Sequence, residues 1–179
     1  MEILIIGGFL VVIMVIVSTQ IKRAAARAFE KEIIETDDFK IVKPAGLMNP
    51  IRSDSEYAFE AYSKEYGEKK DRNIWRAQVY LTVSEGLNFS RASENARLET
   101  DKILSEEVVK DAPAGQKIRL LKSEKIEDNV SFYVFHKIVE SEKQQKTFDL
   151  QVKILKAFQD EYLSRVEEMS NSFRLKKAS

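Results

Sequence analysis

The stretch that decides the fold is SFYVFHKIVES–EKQQ–KTFDLQVKIL, residues 131–155. Residues Ser131 to Ser141 read as one strand and Thr147 to Lys153 as another, joined by a short polar connection, so the two pair antiparallel. In the first, Phe132, Val134, His136 and Ile138 share one face under the two-residue period of a strand.

Working outward from this pair, Lys117 to Lys122 is a further strand before it. After it, Leu155, Phe158, Tyr162, Val166, Met169 and Phe173 step by threes and fours, the stripe of a closing helix. Further upstream, Phe39 to Val42 alternates and stops at Pro44; Pro44 and Gly46 suit a type I turn beginning at Lys43. Tyr57 to Ser63 and Ile74 to Val83 are two more strands, separated by the polar loop KEYGEKKDRN. Asn88 to Val109 reads as a helix, with Asn88 or Ser90 as cap and Phe89, Ala92, Ala96, Ile103 and Leu104 as a thin apolar stripe. The expected class is α+β: an antiparallel sheet of about six strands covered by two helices.

In front of this domain lies an apolar run, Ile3 to Ile21, interrupted only by Ser18-Thr19-Gln20. As a helix it rises roughly 28 Å at 1.5 Å per residue, against a hydrocarbon core about 30 Å thick. Glu2 in place of a basic lead, and Lys22-Arg23 ahead of the small residues Ala24 to Ala26, disfavour a cleaved signal. The reading is a transmembrane anchor over 1–21, a helical stalk over 22–37 that ends at Thr36-Asp37-Asp38, and a soluble domain over 38–179. Lys22, Arg23 and Arg27 flank the span on its C-terminal side, which places the domain in the cytoplasm; an extracytoplasmic domain is the alternative.

The 179 residues suit one domain plus the anchor. With 44% hydrophobic and 32% charged residues the chain is ordinary globular material. A net charge of +0 and no basic stripe among aromatics argue against nucleic acid as partner. With 0 Cys, thiol catalysis, zinc ribbons and iron–sulfur clusters are excluded. No Gly-rich phosphate loop is present, and no cofactor is expected. His136 reads as a packed strand histidine rather than a ligand or base, because a lone His builds no multi-His metal site and no acidic pair is spaced to join it. Ser63-Lys64 raises a Ser–Lys dyad at a strand end, where an exposed lysine is the commoner case. Asn88-Phe89-Ser90 and Asn129-Val130-Ser131 match the glycosylation sequon, which matters only on a lumenal domain.

Tyr57, Tyr62, Tyr66, Trp75 and Tyr80 are candidates for an interaction surface if the second and third strands leave one face partly open. The functional expectation is a membrane-anchored, non-enzymatic interaction or assembly module, held in the lipid bilayer through residues 3–21 and bound to a protein partner. The alternative is a membrane-tethered hydrolase or transferase with a dispersed active site.

The opening FKIVKPAG, the strands SFYVFHKIVES and KTFDLQVKIL, and a closing helix ending SNSFRL resemble the PsbP/Mog1-like fold over roughly Phe39 to Phe173. The resemblance implies an assembly or regulatory module bound to larger partners, mostly without catalysis. It supplies no site residue, and its membrane-associated members often face outward.

Overall fold

The computed structural model describes residues 2–50, 55–69 and 72–176, with the side chains of 2–12 and 66–73 outside the described set. The chain is α+β, with an antiparallel sheet of six strands and three helices. Its centre is the hairpin of β9 (Val130–Ser141) and β10 (Lys146–Leu155). On one side β10 pairs with β6 (Ala77–Glu85) and β6 with β3 (Phe59–Tyr62). On the other, β9 pairs with β8 (Gln116–Glu127) and β8 with β7 (Lys102–Val108). The order is β3-β6-β10-β9-β8-β7.

Alternation along these strands divides two faces. Val79, Leu81, Phe148, Leu150, Val152 and Ile154 point inward and are fully buried. Against them pack Tyr162, Val166 and Met169 of α3 (Gln159–Ser172) and Phe39 and Ile41 of β2 (Phe39–Lys43). The expected closing helix therefore lies on the core, entered through a 3-10 turn at Lys156–Phe158. Phe158 is only half-buried and bridges the main core to the patch of Phe132, Val134 and Leu155 on the opposite face. That second face is covered by α2 (Phe89–Leu98), whose Ala96 packs on Leu121 and Ile138.

Three expectations need correction. The helix expected over Asn88–Val109 ends at Leu98, and Lys102–Val108 is instead edge strand β7. β8 is twelve residues long, and an uncovered edge of that length presents a row of unpaired backbone groups. Strand pairing satisfies them, whereas a longer helix leaves them open. The junction is held by Thr100, whose hydroxyl donates to the Arg97 carbonyl (2.9 Å), and by Asp101, whose carboxylate accepts from the Ile126 amide (2.6 Å).

The stalk is not helical to its end. α1 runs Glu2–Ala28, and Glu32–Glu35 forms β1, antiparallel to β2. Ile34 packs against the core from there. With β11 (Arg174–Leu175) on its other edge, β2 is the middle of a three-stranded sheet, not a strand of the main one. The count of six in the main sheet is made up by β7.

The polar loop KEYGEKKDRN also holds structure: β4 (Glu65–Lys69) and β5 (Arg72–Trp75) pair as a hairpin, and the chain resets at Arg76 before β6.

Much of the expected span, Ile3 to Ile21, falls on residues whose side chains lie outside the described set. Among the described residues no helix is long and apolar enough to cross a membrane. From residue 13 to 28 every α1 residue is exposed, including Met14, Val15, Ile16 and Ile21.

Candidate functional site

The second face of the sheet holds two adjoining features. The first is a polar cleft of about 510 Å³ between α2 and strands β6, β9 and β10. His136 lies at its base, 1% exposed. The register of β9 with β10 sets His136 opposite Gln151, and Asp149, two residues along, shares that face. The Asp149 carboxylate lies 3.0 and 3.2 Å from Nδ1 of His136. With the proton on Nδ1, Nε2 faces the Gln151 amide at 3.4 Å, and that amide donates to Glu99 (3.2 Å). Asp149, His136, Gln151 and Glu99 thus form one chain of contacts along the cleft.

Asp149 is a single acidic partner for His136 that the sequence reading, which looked for an acidic pair, did not name. The packing of His136 among Phe132, Val134 and Ile138, all buried, is as expected. The missing signal was register: Asp149 and Gln151 alternate with Phe148, Leu150 and Val152 and so face outward, but only the hairpin's pairing brings them to His136. Among the described residues, no hydroxyl contacts the imidazole. Ser93, buried on α2, donates to the Phe89 carbonyl (2.6 Å), and no group of three or more acidic or imidazole side chains among the described residues is placed to hold a metal ion.

The second feature is an aromatic ladder. Glu60 and Tyr62 of β3 lie opposite Tyr80 and Gln78 of β6. Tyr57 packs on Tyr80 with ring centroids 4.6 Å apart, Tyr80 meets Tyr62 edge-on at 6.2 Å, and Tyr62 stacks on Trp75 at 4.9 Å. All four rings are partly exposed, and α2 packs over β8, β9 and β10, on the far side of the sheet from β3. Four of the five aromatics singled out in the sequence are therefore one continuous run. Tyr66 lies on β4, with its side chain outside the described set.

The surroundings of the ladder are acidic. The Tyr62 hydroxyl donates to Glu60, which also accepts from Ser55 (2.8 Å). Burial, then the negative charge of Glu60 and Glu127, pushes the Tyr80 hydroxyl up to about 12. Burial, Glu56, Glu60 and Glu99 raise Tyr57 in the same direction. Tyr57 also lines the cleft, so ladder and cleft are one surface.

Solved structures of the same architecture include CyanoP, the cyanobacterial PsbP of Synechocystis sp. PCC 6803, with a TM-score of 0.51 at 11% identity over 82% of this chain and 92% of that one. The Ran-binding protein Mog1p of Saccharomyces cerevisiae superposes with a TM-score of 0.51 at 11% identity, over 82% of this chain and 96% of its own. The fold is PsbP/Mog1-like. At this identity the likeness carries no site residue. No protein-family model matches the chain, and no curated protein matches it in sequence.

Within this PsbP/Mog1-like frame the Ser63–Lys64 pair forms no dyad. Ser63 is fully buried; its hydroxyl donates to the Lys64 carbonyl (2.9 Å) and accepts from the Ala77 amide (2.8 Å), tying β3 to β6. The Lys64 ammonium lies over the Phe29 ring at 5.8 Å. Lys22, Arg23 and Arg27 are exposed on α1.

Proposed function

We propose that the chain is a non-enzymatic docking module, tethered to a membrane by its N-terminal helix, that grips a cationic segment of a partner protein. The observation that carries this reading is the ladder Tyr57–Tyr80–Tyr62–Trp75 flanked by Glu60 and Glu99. Aromatic faces attract a guanidinium or ammonium by about 0.5–2 kcal/mol each, and flanking carboxylates add charge complementarity. That Mog1p, a protein of this fold, is Ran-binding supports a protein partner as the class of ligand.

The tether is supported by the apolar run Ile3 to Ile21 and by the exposure of its C-terminal half. Lys22, Arg23 and Arg27 favour a cytoplasmic domain. Carbonate extraction of the full chain tests the tether: release into the supernatant refutes it. A single Cys placed at Ser179 tests sidedness, because the native chain has 0 Cys. An impermeant maleimide should leave it unlabelled in intact cells and label it after lysis.

Trp75, the only tryptophan, reports on the docking surface directly. An arginine-rich peptide titrated into the full chain should change Trp75 fluorescence saturably, and a glutamate-rich peptide of equal length should not. Tyr62→Ala and Glu60→Gln should each weaken the response at least threefold. Equal responses to both peptides, or none to either, refute the cationic partner.

A second reading rests on the His136–Asp149 pair: a hydrolase in which the imidazole activates a water in the cleft. It requires His136→Asn to abolish turnover of an ester or phosphoester panel by the full chain, with the peptide response of Trp75 unchanged.

A further inference from the structure

A second cavity lies on the opposite, inner face of the sheet. It measures about 670 Å³ and opens between the loop around Asp111–Gly115, strands β8 and β9, and the C-terminal strand β11. Its volume is in the range of small-molecule sites. Its walls are mainly apolar, with Ile118, Val139, Phe173 and Leu175 contributing. Its charged lining is unbalanced: Lys137, Lys143, Arg174 and Lys176 against Asp111. Lys176 is matched by Glu35 at 2.9 Å.

Lys137 is the unusual member. It projects inward from the middle of β9 and is 8% exposed. Its ammonium donates to the Ser170 carbonyl (2.6 Å) and lies 5.7 Å from the Phe173 ring centroid. Of three N–H donors this satisfies one. Arg174 is close enough to repel it, and the Arg174 guanidinium donates to the Phe173 carbonyl (3.0 Å). Among the described residues no carboxylate is paired with either cation. Burial first, and Arg174 second, lower the Lys137 ammonium to about 8. Two neighbouring cations at a largely apolar cavity, one withdrawn from water, are stabilised by an anion that enters between them.

We propose that this cavity binds a small organic carboxylate, its anionic head between Lys137 and Arg174 and its apolar body along Val139 and Phe173. The size of the cavity admits a bicyclic ring or a medium-length chain. A bare anion gains nothing from the apolar walls, and a neutral apolar molecule leaves the two cations without a partner. The site is on the other side of the sheet from the aromatic ladder and is independent of the docking function.

The test is equilibrium dialysis of the full chain, with protein-free micelles as the matched blank, using 2-naphthoate, 2-naphthamide and inorganic phosphate as probes. Naphthoate should bind saturably and at least tenfold tighter than naphthamide, and excess phosphate should not displace it. Lys137→Met and, separately, Arg174→Gln should each weaken naphthoate at least tenfold. Arg174 is exposed, so its substitution keeps the test informative if Lys137→Met fails to fold. Equal binding of acid and amide, displacement by phosphate, or naphthoate affinity unchanged in Arg174→Gln or in a folded Lys137→Met overturns the proposal. The Trp75 response to the arginine-rich peptide should be unchanged in Lys137→Met and in Arg174→Gln, which separates this result from the peptide test.

Discussion

The carboxylate of Glu140 accepts a hydrogen bond from the amide of Phe89 at 2.9 Å, so a strand residue caps the helix that crosses it. Asn88, the residue in the cap position, makes no capping bond of its own; its side chain donates to the Glu85 carbonyl (2.8 Å). Glu140 is 2% exposed and pairs with Lys117 at 2.9 Å. Burial works to raise its pKa, but Lys117 and the Phe89 amide outweigh it and hold the carboxyl below the usual range.

Glu140→Gln should therefore destabilise the domain by about 1.5–3 kcal/mol, the worth of a hydrogen bond to a charged group. Because the folded-state value is depressed, this contribution is present at neutral pH. It is lost as pH falls through the ordinary carboxylate range and then through the lower folded value. Denaturant melts at pH 7 and pH 3 check this: the gap between wild type and variant should narrow at the lower pH.

Lys137 gives the opposite dependence. Its folded value of about 8 lies below the ordinary 10.5, so below pH 8 the fold carries the cost of a buried charge. Between those values the unfolded chain binds the extra proton, and this group's contribution to stability rises with pH. Lys137→Met, close in volume and uncharged, should raise the melting temperature at pH 7 and flatten the rise between pH 8 and 10. A variant that melts lower than wild type at pH 7 refutes the argument.

The closing helix separates structural from exposed apolar residues. Met169 is fully buried among Phe39, Phe148 and Phe173, whereas Phe158 is half-buried. Met169→Ala should cost about 2–5 kcal/mol, and Phe158→Ala less. If α3 were instead a seam for a second copy, Met169→Ala would leave the melting midpoint at low protein concentration unchanged.

What was legible in the sequence tracks burial. β9 and β10 alternate between a packed inner face and a mixed outer one, so Phe148, Leu150 and Val152 declare the core and Asp149 and Gln151 the surface. β7 has no buried residue, and Lys-Ile-Leu-Ser-Glu-Glu-Val continues a helix stripe as readily as it forms an edge. β4 and β5 hid in the same way within a polar run. The extension of β8 to Glu127 depends on the turn at Asp128-Asn129, both at positive φ (51° and 64°), the geometry of a tight hairpin. Asp and Asn tolerate that region, so the signal was present but brief. The site was half legible. The aromatics were visible as residue types and their stacking was not. The His136–Asp149 contact depends on register between strands, which local spacing does not carry.

The boundary between helix α1 and the folded domain follows from Lys43. Its side chain is 2% exposed; the ammonium donates to the Ala28 carbonyl (3.0 Å) and forms an ion pair with Glu32 at 3.1 Å. The Gly46 amide donates to the Phe29 carbonyl (2.8 Å), and β1 completes the edge of β2. A chain cut at Asp38, the boundary that the sequence suggests, loses all three partners. It leaves a buried ammonium unpaired and a strand edge open. Each lost hydrogen bond to that charge should cost about 1.5–3 kcal/mol. A chain beginning at Arg27 keeps every one of these contacts. The expected outcome is a cooperative melt for the chain from Arg27 and a markedly lower, broader one for the chain from Asp38. Restoring Glu32 and the rest of β1 without Ala28 and Phe29, in a chain that begins at Lys31, should recover part of the difference. Two truncated chains with the same midpoint would mean that β1 and Ala28 contribute nothing, and that the domain begins at β2 after all.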